Sequence, residues 1–288
     1  MTIAMLPWGR RTVVMGVLNL TPDSFSDGGR HQSPEAAAGG ALTMVRQGAD
    51  VLDLGGQSTR PGAEEIPPEV ERQRVLPALE RIVAALGSEP ALRRADPGGP
   101  LISVDTFWSG GAEAALAAGA HWINDVSGGR RDPAILRVAA AAGCPYVLRH
   151  SRGTSRSMDG AAVYDDVVEE VRQELMRATD RALAAGIAAE QLIWDPGLGF
   201  AKTPPQNITL LRGLGRLRAE GFPLLVGPSR KRFIGEVLGE PRPRARLWGT
   251  AAVCAQAIGM GADILRVHDV GPIVQTARMA EAVLSTQP

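Results

Sequence analysis

The 288-residue sequence predicts a parallel sheet closed into a (β/α)8 barrel, a single domain over residues 1–288. Three observations lead there. Short apolar runs suited to fully buried strands recur along the chain. Segments with helical spacing separate them. A glycine closes most of those segments just before the next apolar run, where the backbone turns left-handed past a helix.

In order, the strands are expected at Val13–Asn19 (VVMGVLN), in GADVLDLGG from Gly48, at Leu101–Thr106 (LISVDT) and in GAHWINDVSGG from Gly119. They continue in GCPYVLRH from Gly143, GIAAEQLIWDPG from Gly186, GFPLLVGPS from Gly221 and GADILRVHD from Gly261. Between them, Val75, Leu79, Ile82, Val83 and Leu86 form one apolar stripe, and Val168, Val171, Leu175 and Leu183 another. Ser33-Pro34 and Asp132-Pro133 each set a capping side chain before a first-turn proline. A doubly wound open sheet would carry a glycine-rich dinucleotide turn after its first strand, but NLTPDSFSDGG is too polar and too long for one. Ser88–Gly99 reads as a surface insertion.

Composition narrows the function classes. Thirty-one Lys and Arg balance 31 Asp and Glu, so bulk charge points to neither a nucleic-acid nor a membrane surface. Cys144 and Cys254 stand far apart without metal spacing and read as reduced thiols, in keeping with a cytoplasmic protein. No signal peptide or membrane span is apparent. Trp108, Trp122, Trp194 and Trp248 read as packing, and His31 and His121 as surface or satisfied side chains.

In a barrel of this kind chemistry sits at the C-terminal strand ends. Those ends carry Asn19, Asp53, Asp105, Asn124 with Asp125, His150, Asp195, Ser229 with Lys231, and Arg266 with His268. For Asp53 and Asp125 a loop hydrogen bond is an equal reading. Carboxylates and amides from the middle strands suit a flat heterocycle with N–H donors and a carbonyl. Cations from the last two suit a phosphate, and Arg230, Lys231 and Arg232 together make a seat for an anion, with a solvated basic turn an equal reading of that segment alone. Thr21–Gly29 and Gln57–Pro68 are polar loops expected to be mobile and able to close over a ligand.

GVLNLTPDSFSDGG, GGQSTRPGA, SVDT, INDVSGG, DPGLGFAKT, GPSRKRFIG and RVHDV, in this order from about Val14 to Val270, resemble the dihydropteroate synthases of folate biosynthesis. The resemblance implies a transferase that joins 6-hydroxymethyl-7,8-dihydropterin diphosphate to p-aminobenzoate and releases diphosphate. It implies that Asp105, Asn124, Asp195 and Lys231 hold the pterin. Asn19 would coordinate magnesium (Mg2+) on the diphosphate, whose oxygens Arg266 and His268 contact. Thr59, Arg60, Pro61, Phe200 and Ser229 would form the p-aminobenzoate site, and Asp23 and Ser24 would help order the first loop. Asp105, Asp195, Lys231 and Arg266 would act on the reacting centre. The small-residue helices from Gly249 and Ile273 would make a homodimer interface. A folate- or corrinoid-dependent methyltransferase barrel shares the Asp, Asn, Asp pattern, but has no use for SRKR, STRPG or RVHD. A pterin-binding paralogue without catalysis is the other alternative.

Two positions depart from the family pattern. Gln57 stands where Glu is usual, keeping size and one acceptor. Arg149 stands where Met usually lies against the pterin. About 6 Å from a developing cation, its repulsion at an effective dielectric near 20 would be roughly 3 kcal/mol, about a hundredfold in rate. Arg149 is therefore expected to pair with the leaving group or with Asp195.

Overall fold

A computed structural model describes residues 11–21, 33–58, 60, 62–89, 92 and 100–284. The expected strands appear as β1 (Val13–Asn19), β2 (Val51–Gly55), β3 (Leu101–Asp105), β4 (Trp122–Asp125), β5 (Tyr146–Arg149), β6 (Leu192–Asp195), β7 (Leu225–Val226) and β8 (Ile264–Val267). All pair in parallel, in the order β6-β5-β4-β3-β2-β1-β8-β7. β6 meets the approach to β7 through one parallel bridge, Trp194 to Leu224, and Trp194 N donates to Pro223 O at 2.9 Å. That bridge closes the barrel.

The helices on the outside are α1 (Pro34–Arg46), α2 (Pro68–Gly87), α3 (Ser109–Ala117), α4 (Ala134–Ala142), α5 (Val167–Ala184), α6 (Pro204–Arg212), α7 (Leu214–Arg218), α8 (Arg232–Leu238), α9 (Leu247–Gly259) and α10 (Val270–Leu284). Their caps follow from sequence. Ser33 Oγ accepts from Ala36 N at 3.2 Å, and Asp166 Oδ1 accepts from Val168 N and Glu169 N at 3.0 and 3.1 Å. Asp132 serves two helices, accepting from Ser109 N at 2.8 Å and Ala134 N at 3.1 Å. The six glycines read as helix stops, Gly48, Gly119, Gly143, Gly186, Gly221 and Gly261, all have φ between +63° and +106°.

Alternation along the strands sorts the side chains into two sets. Val13, Met15, Val51, Leu101, Trp122, Val147, Ile193, Leu225 and Ile264 form an apolar plug inside the barrel. Leu52, Leu54, Ile102, Ile123, Leu148, Trp194, Leu265 and Val267 belong instead to the larger core shared with the helices. Val75, Leu79 and Ile82 of α2 and Val168, Val171 and Leu175 of α5 join that core, but Val83 and Leu183 are exposed, one step off the buried stripes. Trp122 and Trp194 are buried; Trp248 is not packing, being 78% exposed at the start of α9. His121 is satisfied, accepting at Nδ1 from Ile102 N across 3.1 Å, whereas His31 lies outside the described residues.

Candidate active site

Two residues above the inner apolar plug, the same strand parity delivers Asp53, Ser103, Asn124, Arg149, Asp195 and Arg266 to the barrel mouth. Here the interior turns from hydrocarbon to charge. Arg266 Nε donates to Asp53 Oδ2 at 2.6 Å, and its Nη2 donates to Asp105 Oδ2 at 2.7 Å. Asn124 Nδ2 donates to Asp53 Oδ2 at 3.0 Å, and Asn124 Oδ1 accepts from Arg149 Nη2 at 3.0 Å. Arg149 Nε donates to Asp195 Oδ2 at 2.7 Å, while Asp195 Oδ1 accepts from Gly197 N at 2.8 Å. One continuous network thus joins β2, β3, β4, β5, β6 and β8.

The electrostatics follow from burial and neighbours. Burial pushes the Asp105 carboxyl above its ordinary value, against the pull of Arg266 and Arg149. Burial alone would lower Arg266, but Asp53 and Asp105 more than offset it and hold the guanidinium above its ordinary value. Lys231 is pushed down to about 7 by desolvation, with Arg149 and Arg266 adding repulsion. Its Nζ lies 4.2 Å from the centroid of the Phe200 ring.

Asn19, Arg60, Asp105, Phe200, Ser229, Lys231, Arg266 and His268 line a cavity of about 430 Å3 above this network. His268 Nδ1 and Ser229 Oγ lie 2.9 Å apart, and His268 N donates to the same oxygen at 3.1 Å, tying the β8 end to the turn after β7. Asn124 and Asp195 lie buried beneath the cavity. Thr59, Pro61, Asp23 and Ser24 lie outside the described residues. Gln57 lines the cavity and accepts from Ile66 N at 3.2 Å, the acceptor role that the change from Glu preserves.

One open strand-end reading is decided and one expectation needs correction. Asp125 faces outward and holds its loop, accepting from Ser127 N, Gly129 N and Tyr146 Oη at 2.6, 2.7 and 2.6 Å. The β5 contribution is Arg149 rather than His150, whose Nε2 lies 3.0 Å from Glu174 on α5. The three cations after β7 all line the cavity but take different partners. Arg230 forms a two-pronged pair with Asp269 at 3.0 and 2.7 Å, Arg232 reaches Asp159 at 3.2 Å on the surface, and only Lys231 packs on Phe200.

Lys202 was not among the expected site residues, yet it builds the Phe200 loop. Its buried Nζ donates to Gly197 O and Phe200 O at 3.0 Å each and contacts His150 Nδ1 at 2.9 Å. Desolvation pushes Lys202 down to about 7 and His150 down to about 3. Asn207 completes the support, accepting from Gly199 N at 2.6 Å. Gly197 has φ +69°, and a Cβ there would stand 1.9 Å from His150 O, so only glycine fits. The signal was present in the spacing of DPGLGFAKT. Glu71 on α2 was also missed: it accepts from Thr106 Oγ1 at 2.6 Å behind the β3 end, and burial pushes its carboxyl up to about 7.

The Pterin binding enzyme family model matches residues 15–268. A dihydropteroate synthase of Synechocystis is 48% identical over 279 residues, 97% of this chain and 92% of the relative; one of Bacillus subtilis is 41% identical, over 97% and 91%. Among solved structures, Xanthomonas albilineans dihydropteroate synthase with 4-aminobenzoic acid superposes with a TM-score of 0.85 at 43% identity, covering 96% of this chain and 95% of that one. The Yersinia pestis dihydropteroate synthase with a sulfonamide drug gives 0.86 at 37% identity, over 96% and 98%. With the matched region spanning the barrel from β1 to the end of β8, this chain belongs to the pterin-binding enzymes, among the dihydropteroate synthases.

Proposed function

We propose that the chain condenses 6-hydroxymethyl-7,8-dihydropterin diphosphate with p-aminobenzoate to 7,8-dihydropteroate, as one pterin-binding domain. The observation that carries this is convergence: Asp105, Lys231 and Arg266 meet Asn19, His268, Arg60 and Phe200 around a single cavity. The Xanthomonas albilineans relatives solved with 4-aminobenzoic acid and with 7,8-dihydropteroate support the substrate class.

In this scheme the methylene C–O bond breaks and its electron pair leaves with the diphosphate. The amine lone pair then forms the C–N bond and the amine proton goes to solvent. Asp105 and Asp195 place negative charge beside the ring as the cation develops, and Arg266 and His268 face the departing oxygens. Phe200, Arg60 and Ser229 border the p-aminobenzoate place, and Lys231 reaches from the Phe200 ring toward the pterin. An aniline attacking a cation needs no strong base, and none is assigned.

Magnesium belongs to this reading. Among the described residues no group of three His, Cys, Asp or Glu side chains could hold an ion. Asn19, half-buried at the cavity wall, offers a hard oxygen, which suits an ion that keeps water and takes most ligands from substrate phosphates. When bound it would stabilise charge on the leaving group.

A homodimer through α9 and α10 is part of the proposal, because Trp248, Met279, Val283 and Leu284 are all exposed there. Two free, buried cysteines, Cys144 and Cys254, suit the cytoplasm. Among the described residues no helix is long and apolar enough to cross a membrane.

Incubating the purified protein with both substrates and magnesium tests the activity. Diphosphate release that requires p-aminobenzoate is expected; tight pterin binding without release would mark a non-catalytic pterin protein.

A further inference from the structure

Arg149 lies on the floor of the barrel mouth, 2% exposed. Its Nε and Nη2 donate in the same sense to Asp195 Oδ2 at 2.7 Å and Asn124 Oδ1 at 3.0 Å, and Phe200 covers it with its ring centroid 5.2 Å from Cζ. Both acceptors sit below the open cavity with the guanidinium against them. Asn124 has its amide nitrogen committed to Asp53, and the second Asp195 oxygen is committed to Gly197 N. The third guanidinium nitrogen, Nη1, is buried with no hydrogen-bond partner. A buried donor left unpaired is costly, so this guanidinium is held where it is incompletely satisfied.

A guanidinium and the amino-pyrimidinone edge of a pterin are both flat and both present adjacent N–H donors to a carboxylate. Resting on the functional reading above, we propose that Arg149 is a built-in competitor of the pterin. In the free protein it occupies Asp195 and Asn124, and it must leave them before the ring can dock. A diphosphate on the ligand supplies a further anion to receive the displaced cation, which the bare pterin lacks. Arg149 bears on the charge of Asp105 and Lys231, both of which line the cavity above it. It therefore makes the site selective for pterins with an anionic tail over the bare ring.

Removing a competing closed state raises apparent affinity by the inverse of the competent fraction. Calorimetric binding of bare 6-hydroxymethyl-7,8-dihydropterin and of its diphosphate, to wild type and to Arg149→Met, reads this directly. The bare pterin should bind Arg149→Met roughly tenfold or more tightly than wild type, with a clearly smaller gain for the diphosphate. Equal gains for the two ligands, no gain, or weaker binding overturn the inference. Wild type that binds neither ligand sinks the functional reading itself, a different result. If Arg149→Met does not fold, a crystal structure of wild type with the bare pterin decides. Arg149 displaced from Asp195 supports the inference, and an intact pair at its present length beside bound pterin refutes it.

Discussion

Arg266 Nε lies 2.6 Å from Asp53 Oδ2, so a cation on the last strand is held by a carboxylate on the second, across the β1 end that lies between them. Asp53 is fully buried and also accepts from Asn124, which makes it the joint between the two halves of the polar network. Removing one member of a buried ion pair leaves the other uncompensated. Asp53→Ala is predicted to destabilise the fold by about 3 kcal/mol or more, read as a lowered urea midpoint. Because Arg266 and Asn124 lose a fixed partner, kcat/KM should fall with it, even at temperatures where the variant is folded.

Glu71 supplies a stability prediction with a defined sign. Its folded carboxyl is pushed from 4.5 up to about 7, chiefly by burial. Between those values the folded protein holds a proton that the unfolded chain has lost, so stability falls as pH rises through the window and the loss is complete above 7. Glu71→Gln keeps an acceptor for Thr106 and removes the charge. It should raise stability by up to about 3 kcal/mol at pH 8 and change little below pH 4.5, measured by Tm across that range.

Lys202 predicts the opposite slope at higher pH. Desolvation brings its folded value from 10.5 down to about 7, so the unfolded chain binds more protons between 7 and 10.5 and stability rises with pH there. Lys202→Met should flatten that rise. Because Lys202 also holds the carbonyls of Gly197 and Phe200, the variant should raise KM for p-aminobenzoate more than it lowers kcat.

Much of this was written in the chain. The recurring glycine stops, the eight apolar runs and their polar ends place the barrel and its active face from sequence alone. Which strand-end group enters the mouth was harder to see, because a one-residue step along a strand reverses the direction of the side chain. Arg149 and His150 are neighbours, yet one faces Asp195 and the other Glu174 on α5. The same step sends Asn124 in and Asp125 out. Contacts set only by closure of the barrel, such as Arg266 with Asp53, 213 residues apart, leave no local trace. Nor could spacing tell that Trp248 would stand out in solvent.

The exposed side chains on α9 and α10 make the dimer testable. Met279 and Val283 are 63% and 70% exposed on one face of α10. Wild type should sediment as a dimer at micromolar concentration, and Met279→Asp with Val283→Asp as a folded monomer with unchanged circular dichroism. A wild-type monomer would remove this interface from the account.

The central claim is that the inward polar groups at the barrel mouth read the pterin and stabilise its cation. Asp105 is the sharpest probe, since it both lines the cavity and pairs with Arg266 at 2.7 Å. The direct measurement is single-turnover formation of 7,8-dihydropteroate by Asp105→Asn beside wild type, with both proteins confirmed folded. The account predicts a loss of roughly a hundredfold or more in the rate of product formation. Turnover by Asp105→Asn at the wild-type rate would contradict it.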